Sequence, residues 1–397
     1  MRRIISCALL LSLLAFCGCN PNPKTAPKRI GWDCRGVEYE NVISDKLYNL
    51  PLFGDIESVT ITEFDVKMSN GGVLVKDQDK RKEEYYFNQN GNVTKFFSYD
   101  TFARNIICKI VYEYNSDGKL VKDGCYNYDE ESWEEPYDWS ECFYKYDSSG
   151  NLATINEKLE NERTVTDYTT AKIHFKYDSK GRLVEKKSRH NNIGDSYRVG
   201  RSIDIYEYDV HGYLVKAESS WNDGISRERR ISSYNYDATG RTIEKMYYGN
   251  NSEGKFKNTY QYQYDSMGNL IEEVCCDSDG KLYDKHLFKY DSSGNLIEKA
   301  RYYKGTKLAY YTKWDSKGNE IEKAYYKDNG GLDYKYTYQY NSKGNIVKEI
   351  RYGSDGNPSY KYIYKYKYDS KGNLIRQEKY YDKNSGSIIE YKIFYRK

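Results

Sequence analysis

A short phrase recurs along the chain and limits what the chain can fold into. It consists of an aromatic residue, Asp or Asn, two small or polar residues, Gly, a polar residue and usually an aliphatic one, as in "YDSSGNL". Eleven copies follow one another at spacings of 24 to 32 residues. Self-similarity at such a period predicts a repeat protein in which each copy folds as one supersecondary unit. The glycines of the copies are Gly91, Gly118, Gly150, Gly181, Gly212, Gly240, Gly268, Gly294, Gly318, Gly344 and Gly372.

Each copy has the chemistry of a β-hairpin. In "KYTYQYNSKGNIVKEIRY" the tyrosines from Tyr334 to Tyr340 alternate with polar residues, which places them on one face of a strand. Asn341 caps the following turn, and Gly344 supplies a positive φ that other residues adopt only at a cost. The run after the glycine then returns antiparallel to the first strand. A second turn, such as "GSDGNP", leads into the next copy.

The composition favours a thin all-β structure over several thick cores. Apolar residues make up 38% of the chain, but 47 of these are Tyr, so aliphatic material is scarce. An aromatic content of 16% with nearly balanced charge also excludes a disordered chain. We therefore expect a long antiparallel meander of repeated β-hairpins. Because open sheets rarely exceed about ten strands without curling, we expect a curved or superhelical sheet of nearest-neighbour contacts.

The phrases "YDSSGNL", "YDSKGRL", "YDSKGNL", "YDSMGNL" and "YDATGR" resemble the YD, or RHS-type, repeats of bacterial surface and toxin-associated proteins. The resemblance covers about residues 83–397 and implies a β-repeat architecture while saying almost nothing about activity. Family members with toxin shells carry more repeats and a self-cleavage signature, which is not found here. The resemblance therefore implies a small protein built from the repeat alone. Residues 30–82, before the first clear copy, are expected to form a degenerate capping unit.

The first residues have the pattern of an export signal. Arg2 and Arg3 precede an apolar run that is too short to span a bilayer, and residues 1–18 are interpreted as a signal peptide. Gly18 and Cys19 resemble the cleavage box of a bacterial lipoprotein of the Bacteroidetes type, with Cys19 as the lipidated residue. The alternative is a plain secretory signal. Residues 19–29 hold three prolines and predict a stiff tether between the lipid and the folded part.

Charge and cysteine content point to an extracytoplasmic protein without a nucleic-acid partner. Removal of the signal takes the formal net charge from +3 to +1, which gives no attraction for nucleic acid. Disulfides persist outside the cytoplasm, and Cys108 and Cys125 flank the turn "NSDG" nearly symmetrically. They are the best candidates for a disulfide across one hairpin.

Motifs for catalysis, metals or cofactors are weak. The segment 249–256 has the glycine and lysine spacing of a phosphate-binding loop, but Phe256 replaces the required Ser or Thr. The loop at Asp277 to Lys281 resembles a calcium loop, but Phe288 stands where the bidentate Glu belongs. The histidines show no paired spacing for a metal. The sequence therefore predicts a nonenzymatic protein with no cofactor and no metal site.

The second turns are longer in the early copies, and insertions in repeat arrays often project from a binding edge. Trp133, Tyr137 and Trp139 lie in or beside the first long turn, and Trp221 lies in another. These residues predict an aromatic recognition edge for an unknown protein or glycan. The alternative is that the rings fold back onto the sheet and support folding.

Together these patterns predict a noncatalytic, membrane-anchored YD-repeat lipoprotein of the cell envelope with a binding or structural role. Carbohydrate recognition through exposed aromatics is the alternative among binding modules, and a periplasmic hydrolase is the alternative from another class. The expected location is the periplasmic side of the outer membrane or the cell surface.

Overall fold

The protein is built from antiparallel β-strands joined by short turns. The structure is a computed structural model that describes residues 52–69, 74–100, 105–128, 135–161, 168–193, 198–222, 224, 227–251, 254–381 and 385–396. Within these ranges the chain forms 24 strands. The described part of the chain holds no helix with the length and hydrophobicity of a membrane span.

The strands are β1 (Ile56–Met68), β2 (Leu74–Phe87), β3 (Val93–Tyr99), β4 (Ile106–Tyr114), β5 (Leu120–Asn127), β6 (Asp138–Tyr146), β7 (Leu152–Asn161), β8 (Tyr168–Tyr177), β9 (Leu183–Ile193), β10 (Arg198–Tyr208), β11 (Leu214–Asn222) and β12 (Arg227–Tyr236). They continue with β13 (Thr242–Asn251), β14 (Gly254–Tyr264), β15 (Leu270–Cys276), β16 (Leu282–Tyr290), β17 (Leu296–Tyr303), β18 (Lys307–Trp314), β19 (Glu320–Tyr326), β20 (Leu332–Tyr340), β21 (Ile346–Tyr352), β22 (Pro358–Tyr368), β23 (Leu374–Tyr381) and β24 (Ser385–Tyr395).

The sheet closes into a barrel, which corrects the expected open or superhelical sheet. Each strand pairs with its neighbours in the sequence, and β1 also pairs along its length with β24. The predicted all-β hairpin repeat is confirmed, but the curved sheet closes on itself and does not stay open. The physical reason is that β1 can form hydrogen bonds with the unpaired backbone groups at the edge of β24. A closed barrel then has no exposed strand edge.

The closing strand comes from the segment that was expected to be a degenerate cap. Residues 30–82 contain β1 and most of β2, whereas residues 30–51 lie outside the described residues. Strand β1 covers the edge of the first clear copy, as a cap would, by pairing with β2. Its other edge pairs with β24, so the same strand covers both ends of the array.

The YD turns have the geometry that their sequence predicts. All eleven motif glycines have a positive φ, between 73° and 97°. In the copy at Asp147, the side-chain Oδ1 accepts hydrogen bonds from the backbone N–H groups of Ser149 (2.9 Å) and Asn151 (2.8 Å). These backbone donors, that of Asn151 first, hold the pKa of Asp147 below its usual value. The Asp therefore caps the turn, and the Gly completes it.

In eight copies the motif tyrosine joins its copy to the one before it. The Tyr146 hydroxyl donates to the backbone carbonyl of Leu120 at 2.7 Å, and the Tyr290 hydroxyl donates to that of Leu270 at 2.9 Å. The same bond is made by Tyr114, Tyr177, Tyr208, Tyr236, Tyr264 and Tyr340 to carbonyls of the preceding copy. This ladder explains why the position is Tyr in preference to Phe.

The two kinds of turn lie at opposite ends of the barrel. All YD turns lie at one end, here called the YD-turn end, and the second turns form the other end. The chain enters β1 and leaves β24 at the YD-turn end. There the side chain of Asn373, which is fully buried, donates to the Phe53 carbonyl at 3.0 Å and to the Tyr395 hydroxyl at 2.7 Å. This contact fastens the start of the barrel to its end.

Burial distinguishes the inner face of the barrel from the outer one. Residues directly opposite each other on paired strands share a face, and the face that carries Val59, Tyr85 and Phe96 can be followed from pair to pair around the ring. Twelve of the thirteen buried polar residues lie on it, and the thirteenth is Asn373. Large apolar residues exposed on the strands lie mainly on the other face, such as Tyr248 and Phe394. Because side chains converge on the concave side of a closed sheet, we identify the first face as the inner face.

Replacing Gly294 by Ala should destabilise its hairpin by about 1–2 kcal/mol, because its φ of 82° lies in the left-handed region. Only ordinary contacts surround an added Cβ at this position, so the cost comes from the backbone. Gly318→Ala and Gly344→Ala should behave alike. Gly331→Ala, at a glycine without a left-handed φ, serves as the control. Equal losses in urea denaturation for Gly294→Ala and Gly331→Ala would contradict the backbone explanation.

Candidate functional site

A buried carboxylate, Asp123, and a half-buried one, Glu157, lie two strands apart on the inner face of β5 to β7. Asp123 is opposite Cys142, and Cys142 is opposite Glu157. The Tyr144 hydroxyl donates to Asp123 Oδ2 at 2.5 Å. Asp123 also accepts a hydrogen bond from Cys142. We call Asp123 and Glu157 the acid pair.

Burial keeps both carboxyl groups protonated to an unusually high pH. Burial raises the pKa of Asp123 to about 6, although the hydrogen bonds from Tyr144 and Cys142 oppose this. Burial and then the charge of Asp123 raise the pKa of Glu157 to about 7. Burial and the charge of Asp123 also raise the pKa of Tyr112, which lies opposite Asp123 on β4. The acid pair can therefore hold or release a proton near neutral pH.

Further along the inner wall, polar groups are satisfied among themselves. Lys186 and Asp204 face each other on β9 and β10, with 3.7 Å between Lys186 Nζ and Asp204 Oδ2. The hydroxyls of Ser188 and Ser202 lie 2.6 Å apart on the same two strands. All four residues are buried. This part of the wall is held by a buried ion pair and hydrogen bonds and not by apolar packing.

The opposite part of the inner face carries a row of tyrosines. The rings of Tyr325 and Tyr334 lie 4.6 Å apart, those of Tyr360 and Tyr362 also 4.6 Å, and those of Tyr362 and Tyr381 5.1 Å, measured between centroids. The row crosses β18 to β23 and is connected ring to ring. We call it the tyrosine strip, and it consists of Tyr310, Tyr325, Tyr334, Tyr336, Tyr338, Tyr360, Tyr362 and Tyr381.

Cationic side chains lie on the rings of the tyrosine strip. The Arg351 guanidinium lies 4.7 Å from the ring centre of Tyr334, and Lys379 Nζ lies 3.9 Å from that of Tyr362. Lys323 Nζ lies 5.7 Å from the Tyr325 ring. Such cation–π contacts contribute about 0.5–1 kcal/mol at exposed sites. They hold the cations beside the aromatic surface.

The predicted aromatic edge is not a single surface. Trp133 lies outside the described residues. Tyr137 precedes β6, and Trp139 lies on the outer face of β6, opposite Tyr126. Trp221 lies on the inner face of β11, opposite Ser202. The alternation of the two strands therefore directs the two indoles to opposite sides of the barrel wall.

Trp221 is used for packing. Its indole covers Gly200 of the neighbouring strand so closely that an added Cβ on Gly200 would lie 2.3 Å from the ring. A side chain at this position would force the indole to move, because the ring occupies the space of a Cβ. For Trp221 the structure therefore favours a ring folded onto the sheet over a ring that projects as a binding anchor.

The predicted disulfide between Cys108 and Cys125 is not formed. Both cysteines lie on the inner face of one hairpin, as expected, but Cys108 is opposite Asn127 and Cys125 is opposite Ile110. The pair is therefore diagonal, which puts the sulfur-bearing carbons further apart than in a directly opposite pair. Cys19 lies outside the described residues. Among the residues that the structure describes, no group of three or more His, Cys, Asp or Glu side chains could hold a metal ion.

Comparisons with known proteins give little further information. A family model described only as an uncharacterised protein matches residues 257–395, which is less than half of the chain. No curated protein matches the chain. The chain is similar to a solved structure described as a porin-like protein from Bacteroides uniformis, with 14% identity over 57% of this chain and 92% of that chain. The TM-score of that match is 0.24, which is too low to carry an argument about fold, location or function.

Proposed function

We propose that the chain is a noncatalytic, lipid-anchored binding module of the bacterial cell envelope. The observation that carries this proposal is the outer face of the barrel, which is covered by ion pairs. Lys122 and Glu141 lie 2.7 Å apart between Nζ and Oε1, and Lys285 and Glu272 are separated by the same distance. Other pairs on this face are Lys82–Glu84, Lys176–Glu185, Lys216–Glu207, Arg229–Glu218, Lys289–Glu298, Lys335–Glu322 and Arg376–Glu390.

These charges support a barrel that stands in water. A Lys or Arg on the lipid-facing side of a membrane barrel costs about 2–4 kcal/mol at the bilayer midplane. The outer face carries such residues on strand after strand, so lipid around it would be unfavourable. Under this proposal the membrane is reached through the N-terminal segment, with lipid on Cys19 and residues 19–29 as the tether.

The described part of the chain begins at the YD-turn end of the barrel, where Leu52 and Phe53 precede β1 and the Phe53 carbonyl accepts a hydrogen bond from Asn373. The resemblance to YD repeats agrees with a role at the bacterial surface and remains part of the proposal.

Carbohydrate recognition is a second candidate function, and the tyrosine strip favours it. Tyrosine combines a broad apolar ring with a hydroxyl that forms hydrogen bonds, and this combination suits sugar rings. The strip replaces the predicted tryptophan edge as the aromatic surface. Hydrolysis is the competing class. Consumption of a bound glycan by the purified protein would contradict a noncatalytic role.

Replacing Cys19 by Ser should move the protein from the membrane fraction to the soluble extracytoplasmic fraction. The reason is that a single lipid-modified residue carries the anchor, and the ion-paired outer face offers no other. Cell fractionation followed by immunoblotting measures the change. Cys276→Ser, at a partly buried cysteine in β15, is the matched control and should stay with the membrane. Equal membrane retention of Cys19→Ser and the control would reject the lipid anchor.

A further inference from the structure

We propose that the tyrosine strip is the binding site for an acidic polysaccharide, whose sugar rings stack on the tyrosines and whose carboxylates pair with Arg351 and Lys379. This inference rests on the proposed extracytoplasmic binding role and names its ligand class. The strip crosses six strands from β18 to β23, a width of about 24 Å at a strand spacing of about 4.8 Å. A surface of this width suits a chain of linked sugars better than a single small molecule.

The rings of the strip remain partly accessible, in contrast to three fully packed tyrosines on the same face. Tyr85, Tyr206 and Tyr391 are at most 7% exposed, and each of them packs into the core. Tyr336 and Tyr360, by contrast, are only half-buried, as are the other members of the strip. Because Tyr336 and Tyr338 stack at 6.3 Å with only 6° between their planes, they present neighbouring rings in nearly the same orientation. The folded chain therefore leaves part of the aromatic surface of the tyrosine strip exposed to solvent.

The cations beside the strip supply charge complementarity. Arg351 contacts both Tyr334 and Tyr360, with its guanidinium 4.7 and 6.0 Å from the two ring centres. Lys379 Nζ lies within 5.5 Å of the ring centres of Tyr362, Tyr364 and Tyr381. Each cation is thus held between rings, where a carboxylate on a stacked sugar could reach it.

The carboxylates near the strip do not cancel these cations. Glu349 accepts a hydrogen bond from Tyr364 at 2.9 Å, and the charge of Glu320 acts on Tyr338. Against these two carboxylates, the inner positions of β17 to β23 carry Lys299, Arg301, Lys323, Arg351 and Lys379. Arg301 is paired with Asp284, which leaves the region with a positive balance.

The chemistry of the strip favours an acidic glycan over other anionic polymers. Tyrosine hydroxyls whose pKa is raised, as burial raises that of Tyr360, stay neutral and can donate to or accept from sugar hydroxyls. Nucleic acid would require a continuous track of phosphate contacts. The cations here are spaced among rings and the mature chain is nearly neutral overall, with a formal charge of +1 after the signal is removed. An acidic sugar can stack on the tyrosine rings and can pair its carboxylate with the isolated cations.

The test uses titration calorimetry to measure direct binding of each probe to the detergent-purified full-length protein. The probes are a hexamer of galacturonic acid, a neutral glucose hexamer and a single-stranded DNA of the same charge as the first. The inner-face variant is Arg351→Gln with Lys379→Gln, and the ring variant is Tyr336→Ala. The matched control is Lys348→Gln with Lys361→Gln, which removes the same charge from the outer face of neighbouring strands.

We expect the acidic hexamer to bind the wild type, and we expect both the inner-face and the ring variant to weaken binding by more than about tenfold. The outer-face control should bind like the wild type. Added salt should weaken binding of the wild type more than that of the inner-face variant, because screening acts on the removed charges. No binding of the acidic hexamer to the wild type, tighter binding of DNA, equal binding of the neutral hexamer, or equal losses in the outer-face control would each overturn the proposal.

The outcome is separate from that of the anchoring proposal. Binding is measured on detergent-purified protein and does not depend on where the protein resides in the cell. Fractionation of Cys19→Ser does not depend on any ligand. If the glycan does not bind but Cys19→Ser is lost from the membrane fraction, the ligand proposal is overturned and the anchoring proposal stands.

Discussion

Replacing Glu157 by Gln is expected to stabilise the barrel at pH 8 and to flatten the dependence of its stability on pH. Burial raises the pKa of Glu157 from 4.5 to about 7, and that of Asp123 from 3.8 to about 6. A raised pKa means that the folded state binds the proton more tightly than the unfolded state. The stability that this contributes is complete below about pH 4 and is lost as the pH rises through 6 to 7.

The expected size is about 3 kcal/mol for either carboxylate, since one unit of pKa difference corresponds to about 1.4 kcal/mol. Asp123 is only 7% exposed, so solvent screening reduces its figure little, whereas the half-buried Glu157 should contribute less than this value. Gln removes the ionisable group while keeping its shape, so the variant should be more stable than the wild type above pH 7. Asp123→Asn should act in the same direction. Because the two groups interact, the double variant should gain less than the sum of the single variants.

Glu141→Gln provides the control on the same strand. Glu141 lies on the outer face of β6 next to Lys122, and hydrogen bonds from Lys122 and Tyr126 hold its pKa below the usual value despite partial burial. Removing this charge should destabilise the protein slightly above pH 5. Urea denaturation between pH 4 and pH 9 measures the two single variants, the double variant and the control. A wild type whose stability rises steadily from pH 4 to pH 8 would contradict the assignment of the acid pair.

The local structure of the barrel was predictable because it depends on a few residues in each copy. Asp147 and Gly150 illustrate this, since the Asp caps a turn and the Gly adopts the left-handed conformation that the turn requires. The alternation of Tyr334, Tyr336 and Tyr338 likewise predicts a strand with an aromatic face. Such local features depend on residues within about ten positions of one another, so the sequence alone is sufficient to predict them.

Closure was not predictable, because it depends on a pair of strands at opposite ends of the chain. Strand β1 carries no YD phrase, and its alternation in "IESVTITEFDVKM" shows only that it is a strand. Nothing in that pattern identifies β24 as its partner. The contacts that reveal closure, such as Asn373 with Phe53 and Ile61 opposite Tyr391, join residues that the repeat period does not relate.

The candidate site was missed because its residues are distinguished by position and not by a motif. Asp123 and Glu157 look like ordinary strand carboxylates, and only the register places them on the buried face around Cys142. A comparison of copies by face would not have marked Asp123, because the equivalent inner positions of later copies are also polar or charged, as at Lys323 and Glu349. The tryptophans were predicted to form a binding edge because they lie in or beside long second turns, but the alternation of side chains along a strand places Trp139 and Trp221 on opposite faces.

The two inner walls therefore have different physical roles. On β5 to β10 several described inner side chains are polar and buried, as with Ser188 and Ser202, whose hydroxyls hydrogen-bond to each other. On β18 to β23 the side chains are large and half-buried. A ligand inside the barrel would find a connected, half-buried aromatic surface on the second wall. This asymmetry is the reason to look for binding there.

Replacing Tyr85 by Ala should destabilise the protein by about 3–5 kcal/mol, the cost of truncating a fully packed aromatic. Tyr85 is 0% exposed, lies 5.0 Å from the Phe96 ring and is opposite Val59 on the closing strand. Tyr336→Ala is the matched control, since this ring is half-buried on the same face and should cost clearly less. Urea denaturation of the purified full-length variants measures both.

Closure itself can be tested by combining Tyr85→Ala with Tyr391→Ala. Tyr85 on β2 and Tyr391 on β24 belong to one buried cluster and are bridged by Val59 and Ile61 of β1. Because the two truncations would open one shared cavity, their effects should differ from additivity by about 0.5–3 kcal/mol. In an open meander the two tyrosines would lie at opposite ends of the array, and their effects would add. Strict additivity in the double-mutant cycle would therefore contradict the closed barrel, whereas coupling between residues near the two ends of the chain has no explanation without it.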